Sequence, residues 1–138
     1  MGLAAQHIYH ALQSKLGQDG SLALTSAEWR LLRASRFLIA VDGNTLPMLL
    51  ADQSAPELFE ICDALGAIGA SSTANLLLES LRRLVPLISV EKALRDVNAI
   101  ATIALPLAAE CKRGREADEI NLLKFAFEHS ASSGVDSP

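Results

Sequence analysis

Two four-residue segments, Thr25-Ser26-Ala27-Glu28 and Ser54-Ala55-Pro56-Glu57, carry a hydroxyl residue followed three positions later by glutamate. In such a pair the hydroxyl accepts from a free N–H of the first helical turn, and the glutamate reaches back to the hydroxyl residue's own N–H. Each pair fixes where a helix begins. The residues that follow keep helical spacing: Leu31, Ala34, Leu38 and Val41 after the first, Leu58, Ile61, Cys62 and Leu65 after the second. Pro56 falls in a first turn, where its missing N–H costs nothing.

The remaining segments read the same way. Ile8, Leu12 and Leu16 place a helix over 3–16, stopped by Gly17-Gln18-Asp19-Gly20. The first capped helix is expected to end at Asp42-Gly43-Asn44, with a short helix over 46–51 next, and the second capped helix to end at Gly66. Gly66-Ala67-Ile68-Gly69-Ala70 lacks a preceding strand and a Gly-Lys-Ser/Thr ending, so it reads as a tight helix junction rather than a phosphate loop. A helix from 71 or 72 should stop at 84, before Pro86. Ser89 would then cap a helix to about 111, bent near Pro106, and a last helix would cover 116–129. Only 87–90 is ambiguous with strand. The expected class is all-α, a single compact domain of six to eight helices over 1–129, with a disordered tail over 130–138.

The chain has 138 residues, half of them hydrophobic, and a mean hydropathy of +0.26, which excludes general disorder. The apolar surplus is mostly Leu and Ala. It suggests burial between subunits, and 90–109, apolar on nearly every side, is the expected homodimer surface. The N-terminal stretch lacks a basic region and a long apolar core, so no signal peptide is expected, and 97–109 is too short to span a bilayer. With two cysteines, Cys62 and Cys111, and no disulfide framework, a cytoplasmic protein is the default.

Charge is segregated along the chain. No lysine or arginine occurs between Arg36 and Arg82, whereas Asp42, Asp52, Glu57, Glu60, Asp63 and Glu79 all fall there. Residues 1–36 carry +2, 37–81 carry −6, 82–115 carry +4 and 116–138 carry −4, for a net −4. The acidic balance argues against direct nucleic-acid binding, which relies on cations at the phosphates. Glu57, Glu60 and Asp63 share one arc of a helix whose other side is apolar. Asp42, Asp52, Glu57, Glu60 and Asp63 are therefore the candidate partner-binding residues. Arg30, Arg33 and Arg36 form a matching stripe one helix earlier; they could bind phosphate, or pair with the acids within the monomer or across a dimer. Glu79–Arg83, Glu91–Arg95 and Lys92–Asp96 have the spacing of surface pairs on helices.

Catalytic signals are sparse. His7 and His10 are spaced to share a metal but lack a third ligand, so no metal and no cofactor are expected. His129 suits a helix C-terminus. Cys62 falls on an apolar arc, while Cys111 precedes Lys112 and Arg113, which would favour a thiolate. No nucleophile–base or paired-acid arrangement can be assembled, so the chain reads as non-enzymatic.

The run Leu24-Thr25-Ser26-Ala27-Glu28, then Val41-Asp42-Gly43-Asn44, Ala64-Leu65-Gly66-Ala67 and Ala74-Asn75-Leu76-Leu77 resembles a bacterial family of small helical proteins named for a DNA-mimic protein. The resemblance covers roughly residues 8–84. Asp42-Gly43-Asn44 stands where that family has Asn-Gly-Gly, and Leu46 and Leu50 where it favours Phe. It implies a homodimer whose acidic surface imitates duplex DNA and occupies a DNA-binding regulator. The expected function is thus a protein-binding module presenting an acidic face to a basic partner. The alternatives are an immunity-type inhibitor of a toxin or nuclease, and a helical scaffold subunit working through apolar surface.

Overall fold

The computed structural model describes residues 3–19 and 24–135, with side chains over 3–18 and 24–129. Among the described residues the elements are α1 (Leu3–Asp19), α2 (Ser26–Asp42), α3 (Leu46–Asp52), α4 (Ala55–Ala67), α5 (Ser71–Ile88), a 3-10 turn at Lys92–Leu94, α6 (Val97–Arg113) and α7 (Arg115–Val135). The fold is all-α, in one compact helical domain. α7 passes the expected end at 129; of the expected tail, 136–138 lie outside the described residues.

Both capping boxes form. Thr25 Oγ1 accepts from Glu28 N while Glu28 accepts from Thr25 N, and Ser54 Oγ and Glu57 do the same at α4. α2 closes at Gly43, where Asn44 takes the left-handed φ of 58°. Between α4 and α5 it is Gly69, at φ 93°, that turns the chain tightly enough for the two helices to pack.

α2 is the hub. It packs against α1, α4, α7, α3 and α6, and it buries Leu31, Leu32, Ala34, Phe37, Leu38, Ala40 and Val41, more than one stripe's worth. The 90–109 region, the expected homodimer surface, is placed differently from α2. α6 has α3 on one side and α5 on another, so Ile100, Ile103, Ala104 and Leu107 are covered inside the monomer, while Val97 and Leu105 are its exposed large apolar side chains. The helix does not need a second subunit to bury it.

Two boundaries differ for a physical reason. α5 continues through Pro86 to Ile88, because Leu84 and Ile88, one turn apart, both sit in the core; their burial outweighs the hydrogen bond proline removes. Ser89 therefore caps nothing that follows, and its hydroxyl donates to Val85 O. Asp96 is the N-cap of α6, accepting from Ala99 N at 3.0 Å. Residues 89–96 are not α-helical, so the spacing of Glu91 to Arg95 and of Lys92 to Asp96 no longer brings them face to face.

Arg95 does something else. Its guanidinium donates to Ala51 O (2.6 Å) and Gln53 O (2.9 Å) at the end of α3, and to Ile88 O (3.0 Å) at the end of α5. The last carbonyls of a helix have no partner within it. One planar five-donor fork supplies partners to two helix ends at once and fixes α3 beside the start of α6.

Candidate functional site

All five predicted acids are placed, and each is engaged within the chain. Packing of α4 on α2 sets the acidic arc opposite the arginine stripe: Arg33 Nη2 lies 3.0 Å from Glu60 and Arg30 Nε 3.9 Å from Asp63. Asp52, at the end of α3, accepts from Lys92 at 3.0 Å and has Arg36 at 4.0 Å; the Lys92 hydrogen bond holds its carboxyl below the usual range. Glu57 belongs to its cap, and the backbone N–H and hydroxyl of Ser54 hold its carboxyl low. Of the three placements left open in the sequence, the one observed is pairing of the arginines with the acids within one chain. Bases absent from the acidic block in sequence are supplied by packing.

Asp42 stands apart from the other four. Its two oxygens accept from Arg115 Nε (2.8 Å) and Nη2 (2.7 Å), and the Arg115 side chain is only 2% exposed. Arg115 also faces Glu119, with Nη1 at 3.7 Å, and that nitrogen is buried with no hydrogen-bond partner among the described residues. Beside it the Thr73 hydroxyl donates to Asp118, whose carboxyl is pushed up by burial against the opposing pull of that hydrogen bond and of Arg115. This polar cluster joins the end of α2 to the starts of α5 and α7. Asp42 is structural, and not part of an exposed acidic face. The sequence offers no signal for it, because Arg115 and Asp42 lie 73 positions apart.

An apolar groove of about 630 Å³ runs where α1, α2, α3 and the start of α6 meet, walled by Tyr9, Ile39, Leu49 and Val97. Arg36, Asp52 and Lys92 form its polar rim and are tied to one another. Met48 stands at its edge, 72% exposed, and Leu94 of the adjoining 3-10 turn is exposed to the same degree. Sequence reasoning missed this surface. Its residues come from four segments, and the piece that brings Met48 beside Val97 is the Arg95 clamp.

Other candidate groups are placed differently from expectation. Cys111 is buried in the core, and burial, with Asp118 and Glu110 nearby, pushes its thiol up to about 12, the opposite of a reactive thiolate. Cys62 is half-buried against the core, its thiol raised to about 11 by burial. His129 lies inside α7 rather than at its end, with Nδ1 2.8 Å from Phe125 O and its ring 4.0 Å from the Phe125 ring. Among the described residues, no group of three or more His, Cys, Asp or Glu is placed to hold a metal, and no helix is long and apolar enough to cross a membrane. Set against family models, curated proteins and solved structures, the chain matches none of them.

Proposed function

We propose that this protein is a non-catalytic binding module that docks an amphipathic helix of a partner protein in the groove between α1, α2, α3 and α6. One observation carries the reading: Met48 and Val97 line an apolar groove and stay exposed, while Asp52, Glu60 and Asp63 already have partners within the chain. The groove's volume would also suit a small molecule. Its wall, however, includes Met48 and Val97, both more than half exposed at the open edge, where an enclosed ligand would not reach. A ridge of large apolar residues at helical spacing would cover both. The rim ions, already paired with one another, would fix orientation more than they would add affinity. Two free cysteines fit a reducing cytoplasm as the compartment.

The acidic-face reading, including the DNA-mimic form implied by the family resemblance, keeps one support. Asp63 and Glu60 remain 76% and 50% exposed, and the Arg30–Asp63 contact is long enough to exchange for a partner's base. The two readings separate in one experiment. Proteins retained from native lysate by the wild type are compared with those retained by Met48→Glu/Val97→Glu and by Glu60→Lys/Asp63→Lys. The groove reading expects the first variant to lose the retained protein, the second to keep it, and added salt to leave binding nearly unchanged. Loss in the second variant alone, with strong salt sensitivity, would restore the basic partner.

A further inference from the structure

α7 is apolar on two sides. Its inner side buries Leu122 and half-buries Phe125 and Ala126, whereas Ile120, Leu123 and Phe127, at spacings of three and four, form an exposed outer stripe. Phe127, at 76%, is the most exposed large apolar side chain described. A helix of a small domain with a second apolar stripe marks an interaction surface.

The charges on that stripe say which partner fits. Glu116 lies one turn before Ile120 and Lys124 one turn after it, on the same exposed side, and neither has an ion-pair partner among the described residues. They are about 12 Å apart along the axis. A second α7 laid antiparallel, with the two-fold axis at Ile120, sets each Glu116 level with Lys124 of the other copy, twice over. A parallel copy would set like charge on like. The antiparallel register also brings Phe127 over the α6–α7 corner of the other copy. Gly114 sits at that corner with nothing within 4 Å of where a Cβ would stand, so the Phe127 ring meets open backbone there. A two-fold interface requires one patch to complement itself, and an acid and a base equidistant from a central isoleucine do so.

We infer that α7 is the homodimer surface of this protein, pairing antiparallel with α7 of a second copy through Ile120, Leu123 and Phe127 and locked in register by Glu116–Lys124 pairs. The interface is separate from the groove and leaves it open, so the dimer stands whether or not the groove binds a helix. It differs from the 90–109 surface expected from the sequence, where Ile100, Ile103, Ala104 and Leu107 are buried within the chain.

Light scattering at micromolar concentration should give twice the 14.7 kDa chain mass. Leu123→Glu should give the monomer with an unchanged helical spectrum. Lys124→Glu alters only an exposed position, so it tests the interface without testing the fold. It should weaken the dimer roughly tenfold or more by placing acid against acid, and Glu116→Lys/Lys124→Glu should restore it by exchanging the partners. A monomeric wild type overturns the inference, as does a double exchange that dimerises no better than Lys124→Glu alone. A dimer abolished by Leu105→Glu and untouched by Leu123→Glu would return the interface to α6.

Discussion

The α2–α4 seam and the Arg115 cluster are built from the same chemistry, guanidinium against carboxylate, and they do different things. At the seam, Arg30 and Arg33 meet Asp63 and Glu60 of α4, and Arg36 meets Asp52 at the neighbouring end of α3, at 3.0–4.0 Å with each side chain about a third exposed or more. Water competes for each of these charges, and such pairs contribute little to stability individually. Arg115 is nearly dry. Its fork on Asp42 is bidentate and short, and its attraction to Glu119 adds to it. A charge taken out of water needs its partner, because the desolvation already incurred is recovered only through the pair. The seam matches charge on a surface, whereas the cluster determines where three helix ends meet.

The largest expected effect follows from the buried member. Asp42→Ala, which takes both short hydrogen bonds from buried Arg115 and leaves it the 3.7 Å contact with Glu119, should cost about 3 kcal/mol in denaturant unfolding. The double change Asp42→Leu/Arg115→Met should recover much of that, since an apolar pair carries no desolvation debt. A double variant as unstable as the single one would break the comparison, by showing that the pair and not the stranded charge sets the cost.

Ser54→Ala tests an exposed acid with a local task. Removing the hydroxyl should cost about 0.5–2 kcal/mol by leaving a first-turn N–H of α4 without its acceptor. The pH dependence sharpens this. Glu57 has its carboxyl lowered, so its contribution is present above the ordinary value of 4.5 and is lost as pH falls through the lower folded value. Ser54→Ala removes the hydroxyl's share of that lowering and keeps the backbone N–H's, so it should flatten the acid side of the stability curve only in part.

Asp118 has the opposite sign. Its carboxyl is raised by burial, so the folded chain keeps a proton that the unfolded chain releases, and its contribution declines as pH rises above the ordinary value of 3.8. Asp118→Asn, which keeps the acceptor for Thr73, should gain on the wild type as pH rises through that window. Unfolding midpoints that diverge toward low pH instead would contradict the burial argument.

The smallest effect belongs to the seam. A double-mutant cycle on Arg33 and Glu60 should give a coupling of about 0.2–1 kcal/mol, shrinking with salt, since exposed charges are screened beyond about 8 Å at physiological ionic strength. A coupling as large as that of Asp42 with Arg115 would erase the distinction between the two regions.

What could be read from the sequence was local. Thr25 with Glu28 and Ser54 with Glu57 place the starts of α2 and α4, because a cap is satisfied within three residues. The stripe of Leu31, Ala34, Leu38 and Val41 correctly names a buried face, because helical periodicity needs no knowledge of neighbours. The all-α class follows from such signals agreeing along the chain. Local rules failed where a distant partner overrode them. Pro86 does not stop α5 because the core holds Ile88. Cys111 is inert in spite of Lys112 and Arg113 because it faces inward. Arg95 leaves the expected Glu91 for the carbonyls of α3.

The candidate surfaces divide in the same way. The sequence by itself determined that six acids would crowd one block and that α4 would turn Glu57, Glu60 and Asp63 away from its apolar side. Only the tertiary structure decided whether that charge is free, by laying α2 against α4 and bringing Lys92 to Asp52 and Arg115 to Asp42 across 40 and 73 positions. It likewise assembled the groove from four separated segments and left the outer stripe of α7 bare. Helix identity is set by interactions within a few residues, which a sequence displays directly. Charge balance and surface are sums over whatever packs nearby, and packing is a property of the whole chain.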